Sequence, residues 1–436
     1  MDDRSPGAKG RVAFKDRGSM RHLLWFFALV YVVEGLGQIG GLVSQPLSYY
    51  LKQVSGWTPL QITAYLTLFN IPWIIKPLYG LVSDFIPLFG YRRKSYLVLA
   101  NGAAIGGYFL VSQLTVPDRL VFALMLTAYA MAISSTLCGA VLVENGQRLK
   151  ESGTFVNQQW LWYNIAAMTA AVLGGQLVQR LAPAAALHTA AAIVTWVPLL
   201  VIFGTLFLIP ETRTKANLQG MRHTLEGLTS AFRRRHLWII AAFIFLYYFS
   251  PGLSTPLYFI MTDNLKFSQA YIGIVGSLAG GGWVVGAFLY NRYMKRLTLK
   301  RLLNLSIAIG TVTSLAFLFF WNEAAAAIIS FSSGFAGMLA TVATLTLAAD
   351  YCPRRAEGFA FAVLMSIINL STALADNLGS YLFTHVFHGQ LAPLVLLSAA
   401  FTAFAFALVP LLHLGEKRQG DPATVGVMAP PPPDTR

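Results

Sequence analysis

Polar residues in this chain are confined to short intervals between long apolar runs. Read against proline, glycine and charge punctuation, the runs predict helical spans at 22–50, 59–83, 95–113, 119–144, 155–180 and 190–210. Six more follow at 237–262, 268–290, 301–320, 324–349, 357–384 and 391–414. Runs of about 20 residues, at ~1.5 Å per residue, cross the ~30 Å of hydrocarbon in a bilayer. The pattern therefore predicts an all-α membrane protein of twelve transmembrane helices. After Pro210 a polar connector, 211–236, ends in a basic cluster and divides the chain into six-helix bundles at 22–210 and 237–414. Tails at 1–21 and 415–436 flank them, the second ending in Pro430–Pro433 and expected to be disordered.

Composition excludes a soluble alternative: 56% hydrophobic and 11% charged residues cannot be hidden in soluble cores. The formal charge of +14 changes the picture only through its distribution. Basic residues crowd alternate loops: the N-terminal tail (Arg4 to Arg21), Arg92–Arg93–Lys94, Arg148 and Lys150, Arg233–Arg234–Arg235, Arg292 to Arg301, Arg354–Arg355, and Lys417–Arg418. The intervening loops carry only Lys52, Arg119, Arg180 and Lys266. By the positive-inside rule both termini are cytoplasmic, which requires an even number of spans. The basic balance thus reports contact with anionic lipid of the cell inner (plasma) membrane, and excludes nucleic acid as a partner. Cys138 and Cys352 can make neither a disulfide framework nor a metal cluster. The first twenty residues lack a signal-peptide apolar region, so the first run is expected to stay as helix 1.

A parallel repeat is visible at constant offset: Pro46–Leu47 matches Pro256–Leu257, Thr58 matches Ser268 at a helix start, Gln61–Ile62 parallels Tyr271–Ile272, and Trp73 parallels Trp283. Two parallel six-span halves resemble the layout of a major facilitator transporter, whose site lies between its halves. After span 2 comes Gly80, Asp84, Gly90, Arg92 and Arg93, a loop that resembles the superfamily's G-x-x-x-D…G-x-R-[RK] motif. Gly80 is expected to let helices approach, and Asp84 with Arg92 and Arg93 to form a cytoplasmic latch that breaks and re-forms. Glu144, ending span 4, is a gate or headgroup-level residue.

The longer stretch from Pro72, Trp73, Lys76 and Pro77 through Pro87, Gly90, Tyr91 and Ser95–Tyr96 is similar to the folate–biopterin transporter family. Tyr31–Glu34–Gly35, Pro256–Asn264, Tyr290–Lys295 and Cys352–Asn369 carry further similarity, so it covers most of the length outside the tails. This resemblance implies secondary transport of a small polar organic solute, a folate or pterin being the family's substrate class. Where the family usually has glutamine this chain has Glu34, and where it has acids in helix 4 this chain has Ser135 and Gly139.

Ionisable groups are rare at membrane depth, and those present usually face the bundle interior and mark a pathway. Glu34 and Gln38 share a face one turn apart in span 1 and are the leading candidates for binding or coupling, with protons as the expected coupling ion. Lys76 in span 2 either neutralises Glu34, binds a substrate carboxylate, or snorkels to the cytoplasmic headgroups. Asp376–Asn377 in span 11, with Asn369 two turns earlier, form the corresponding group in the second half. Asn157, Gln158 and Trp162 in span 5, and Tyr247–Tyr248 in span 7, offer amides and aromatic faces suited to a flat heteroaromatic ligand, or else an interfacial belt. Gly280–Gly281–Gly282 allows close helix packing.

No nucleophile–base pair, metal set or Walker loop stands out, so an enzyme, a metalloprotein and an ATP-driven pump are not expected, nor is any cofactor. The repeat and latch loop favour alternating access over a channel or scaffold, in a monomer. Among transporters the alternative is a muropeptide-permease-like or other organic-solute facilitator.

Overall fold

A computed structural model describes residues 6–149, 151–222, 235–294, 296–351, 357–412 and 414. Arg4, Lys150, Arg233, Arg234, Lys295, Cys352, Arg354, Arg355 and the 415–436 tail lie outside the described residues. Those described are helical or in turns and loops, apart from one isolated bridge between Leu88 and Tyr91. Nine described helices are long and apolar enough to cross a membrane, and Leu237–Tyr248 is a shorter apolar one.

The chain forms two compact units, Met1–Gly56 with Leu68–Arg222, and Trp57–Thr67 with His223–Arg436. The expected bundle at 22–210 therefore differs at 57–67, the first half of span 2, which packs with the second unit. In the first unit, α1 (Pro6–Gly37), α2 (Ser44–Gln53), α4 (Ile71–Ile74), α5 (Lys76–Phe85), α6 (Lys94–Val111), α7 (Pro117–Leu149), α8 (Ser152–Arg180), α9 (Pro183–Trp196) and α10 (Leu199–Phe207) follow in order. The second holds most of α3 (Pro59–Leu68), then α11 (Arg235–Tyr248), α12 (Ser254–Phe259), α13 (Gln269–Leu289), α14 (Leu299–Ala316), α15 (Glu323–Tyr351), α16 (Glu357–Tyr381) and α17 (Leu391–Leu408).

Four expected spans are not continuous, and each break has a local cause; span 6 parts only between Trp196 and Leu199, at Pro198. Span 1 stops at Gly37 and resumes at Ser44. There Leu42 N–H returns to the Leu36 carbonyl at 3.0 Å. Gly41 fits that turn because a methyl group in its place would lie 2.3 Å from the same oxygen. Span 7 stops at Tyr248 and resumes at Ser254, breaking around Pro251, which lacks an N–H, and Gly252. Span 2 breaks into α3, α4 and α5 just ahead of Pro72 and Pro77, which sit in the first turns of α4 and α5. The repeat is thereby structural: the resumed helices start at Ser44 and Ser254, positions related by the offset that relates Pro46 to Pro256. Thr58 and Ser268 both accept from the backbone N–H three residues on, at 3.4 and 3.1 Å, as capping residues do.

Each unit has its own apolar core. Phe26, Phe27 and Tyr31 of α1 meet Cys138 of α7 and Phe155 of α8 in the first. Ile244 and Tyr247 of α11 meet Leu303 of α14, Leu347 of α15 and Leu364 of α16 in the second. Helices α13 and α15 cross closely, because methyl groups at Gly282 and Gly334 would lie 2.0 and 1.9 Å from opposing carbonyl oxygens. Large apolar side chains such as Phe122, Trp196, Phe207 and Phe288 are exposed, as lipid-facing positions require.

Candidate functional site

The break after α1 leaves Glu34 in the last turn of that helix, beside α5 and α7. Lys76 Nζ donates to Ser135 Oγ at 3.2 Å, and Ser135 Oγ donates to Glu34 Oε1 at 3.0 Å. Lysine has donors only, so this chain of bonds runs in one direction, from Lys76 through Ser135 to Glu34. The Lys76 ammonium also lies 4.0 Å from the centroid of the Trp73 ring, an attraction that holds it in the bundle. The Ser135 hydroxyl stands between the Lys76 and Glu34 side chains. Glu34 Oε2 is buried and has no hydrogen-bond partner among the described residues. Gln38, just beyond the helix end, donates from Nε2 to Tyr163 Oη at 2.5 Å. Gln158 accepts from Trp162 Nε1 at 2.7 Å, so those two residues satisfy one another along α8. Asn157, one position earlier, is exposed.

In the second unit the break in span 7 seats against α16. Gly252 N–H donates to the Ala375 carbonyl at 2.9 Å, and Ser254 Oγ donates to Asp376 Oδ1 at 3.1 Å. Asn377 turns away from Asp376, since successive helical residues are about 100° apart. It donates to Thr67 Oγ1 at 2.6 Å and to the Ala373 carbonyl at 2.8 Å. Nearby, Thr63 Oγ1 meets Thr255 Oγ1 at 2.8 Å and Ser380 Oγ at 2.7 Å, tying α3 to α12 and α16. Asn369 is half-buried two turns before Asp376. Tyr247 donates to Ser306 at 3.1 Å, and Tyr248 shares a hydroxyl pair with Thr344 at 3.0 Å, so both anchor α11 to neighbouring helices. Broken helices at corresponding positions of two repeats, each beside an intramembrane carboxylate, are the arrangement in which transporters build binding sites.

The motif loop is more elaborate than a pair of charges. Arg93 Nη2 bonds both Asp84 and Glu144, the latter at 2.7 Å, and Nη1 donates to Ser83 Oγ at 2.6 Å. Burial opposes the charge on Arg93, and the two carboxylates outweigh that and raise its pKa above the ordinary guanidinium value. Arg92 contributes its backbone instead. Glu211 Oε1 accepts from Arg92 N at 2.8 Å and Arg93 N at 3.0 Å, and Oε2 accepts from Lys94 N at 2.9 Å. That carboxylate thus covers the positive N-terminal end of α6. The connector is drawn back over the loop by Thr214 N–H to the Gly90 carbonyl at 2.8 Å and Asn217 N–H to the Phe85 carbonyl at 3.0 Å. Gly80 does not have the expected packing role, because a methyl group there would meet only Thr136 Cγ2 at 3.9 Å, an ordinary contact.

Sequence reasoning missed Glu211, Ser83, Ser254, Thr63 and Ser380. Glu211 immediately follows Pro210 at a helix end, which marks it as a capping candidate but does not say whose cap. His188 has a structural role, its Nε2 lying 2.9 Å from the Leu114 carbonyl.

Comparison with known proteins agrees with the architecture. The chain is 29% identical over 413 residues to the folate-biopterin transporter of Synechocystis sp., covering 90% of this chain and 81% of that protein. It is 24% identical over 412 residues to folate transporter 2 of Plasmodium falciparum, covering 88% and 87%. Among solved structures, the nucleoside transporter NupG superposes with a TM-score of 0.65 at 14% identity, covering 91% of this chain and 98% of that one. An auto-inhibited POT family peptide transporter gives a TM-score of 0.69 at 12% identity, covering 94% and 100%. These two share the fold, which is that of the major facilitator transporters. With the BT1 family matching residues 36–420, this chain belongs to the BT1 family and is a multi-pass membrane transporter rather than an enzyme.

Proposed function

We propose that this protein is a secondary active transporter that moves a folate or pterin by alternating access of its two halves, coupled to protons at Glu34. It acts as a monomer in the cell inner (plasma) membrane with both termini cytoplasmic, the orientation that the loop charges favour. The relatives described as folate and folate-biopterin transporters support the substrate class. The observation that carries the coupling is the Lys76–Ser135–Glu34 chain, which leaves one buried carboxylate oxygen without a hydrogen-bond partner among the described residues. An ionised oxygen so placed is costly, and a proton removes that cost. Asp84, Glu144 and Arg93 form the latch that opens and closes with each cycle.

The test uses purified protein in proteoliposomes. Folate and biopterin should compete for uptake, and amino-sugar peptides should not. Glu34→Gln keeps the hydrogen-bonding shape without the titration, so it should abolish accumulation driven by a proton gradient while preserving binding and counterflow. Normal uphill accumulation by Glu34→Gln would remove Glu34 as the coupling group and leave Asp376 as the next candidate.

A further inference from the structure

Because Lys76 can only donate, Ser135 must spend its proton on Glu34 Oε1, and Oε1 is fixed as an acceptor. Any proton taken up by Glu34 therefore sits on Oε2, which no described residue contacts by hydrogen bond. In that form the side chain presents an acceptor, Oε1, next to a donor, Oε2–H. The other ionisable groups around it are Tyr31 on its own helix, Lys76 from α5, Cys138 from α7 and Tyr163 from α8; α10, which also packs on α1, brings none. None of these supplies an acceptor to Oε2.

We infer that protonated Glu34 reads the aminopyrimidine edge of a 2-amino-4-oxopteridine, its Oε2–H donating to the ring N1 and its Oε1 accepting from the 2-amino group. The inference rests on the substrate class proposed above and extends it to one edge of the ligand. The proton is then part of the binding surface: it enters with the ligand on one side, lies between Oε2 and N1, and leaves Oε2 with the ligand on the other. Loss of that proton sets the lone pairs of Oε2 against the lone pair of N1 and releases the ligand. A guanidinium or amine would be a poor substitute, since Lys76 already supplies the positive charge beside this carboxyl. A glutamine at this position offers the same acceptor and donor without titrating, so the edge is read in both cases and only coupling differs.

A matched pair of ligands tests the polarity. Biopterin carries the 2-amino group, whereas the corresponding 2,4-dioxopteridine replaces that donor by an acceptor and puts a hydrogen on N1, reversing both bonds. Binding to the purified full chain is measured by thermal shift or titration across pH, with melting of each variant confirming its fold. Wild type should prefer the 2-amino compound by about tenfold to a hundredfold, the effect of two mismatched buried bonds, and lose that preference as pH rises. Glu34→Gln should keep the preference and become independent of pH. Ser135→Ala, which frees Oε1 from its fixed role, should bind the two ligands within about threefold of each other while keeping pH dependence. Equal binding of the two pteridines by wild type, or loss of the preference in Glu34→Gln, overturns the inference and leaves the substrate class standing. No saturable binding of any folate or pterin overturns both.

Discussion

The seat of the broken span 7 on α16 invites a steric test at Gly379. Its replacement by alanine would put a methyl carbon 2.0 Å from the Gly252 carbonyl oxygen and 2.6 Å from its nitrogen. Carbon and oxygen tolerate about 3.3 Å at closest ordinary approach, so the break must retreat by roughly 1.3 Å. Backbone atoms, unlike the end of a flexible side chain, cannot swing aside. The retreat would stretch the 2.9 Å bond from Gly252 to Ala375 beyond use and loosen Ser254 from Asp376. Overpacking costs about 1–3 kcal/mol and the lost bond about 1 kcal/mol, against which alanine returns up to ~1 kcal/mol of helix propensity. The net loss of about 1–3 kcal/mol corresponds to a fall in melting temperature of roughly 5 °C, with transport reduced because Asp376 loses its seat. Gly106→Ala is the matched control, since a methyl group there meets nothing within 4 Å. Fluorescence-monitored melting of both purified variants and their uptake rates decide the matter. If Gly379→Ala melts within about 1 °C of Gly106→Ala and transports normally, the close approach of break and helix is refuted.

Other outcomes follow from the cytoplasmic cluster. Asp84→Ala should slow turnover while leaving substrate Kd within a few-fold, because Arg93 keeps Glu144 and Ser83; a large loss of affinity with normal conformational exchange would count against a latch. With the Asp84 side chain 44% exposed, the stability lost should be only ~1 kcal/mol. Glu211→Ala strips an acceptor from three backbone N–H groups and should lower stability by ~1–2 kcal/mol, whereas Glu211→Gln, which still offers one oxygen, should lose less. Equal melting temperatures for wild type and Glu211→Ala would show that the clasp stabilises nothing.

Helix content and the repeated pattern of apolar runs were legible in the sequence because each depends on local information. A run of apolar residues carries its own crossing length, and the constant offset of Pro46 from Pro256 needs no partner to be seen. Glu34, Lys76 and Asp376 stood out for the same reason, as charges where charge is expensive. What tertiary structure alone decided was which groups answer them. Ser135 reaches Glu34 across 101 positions, and Glu211 reaches the start of α6 across 117 to 119, separations over which no residue pattern specifies a pairing. The breaks in spans 1, 2 and 7 had their causes in plain view at Gly41, Pro72 and Gly252, yet glycine and proline also occur in unbroken membrane helices, where neighbouring helices re-satisfy the freed backbone groups. Whether a helix bends or breaks at such a residue is settled by what packs against it, as Asp376 and Gly379 pack against Gly252.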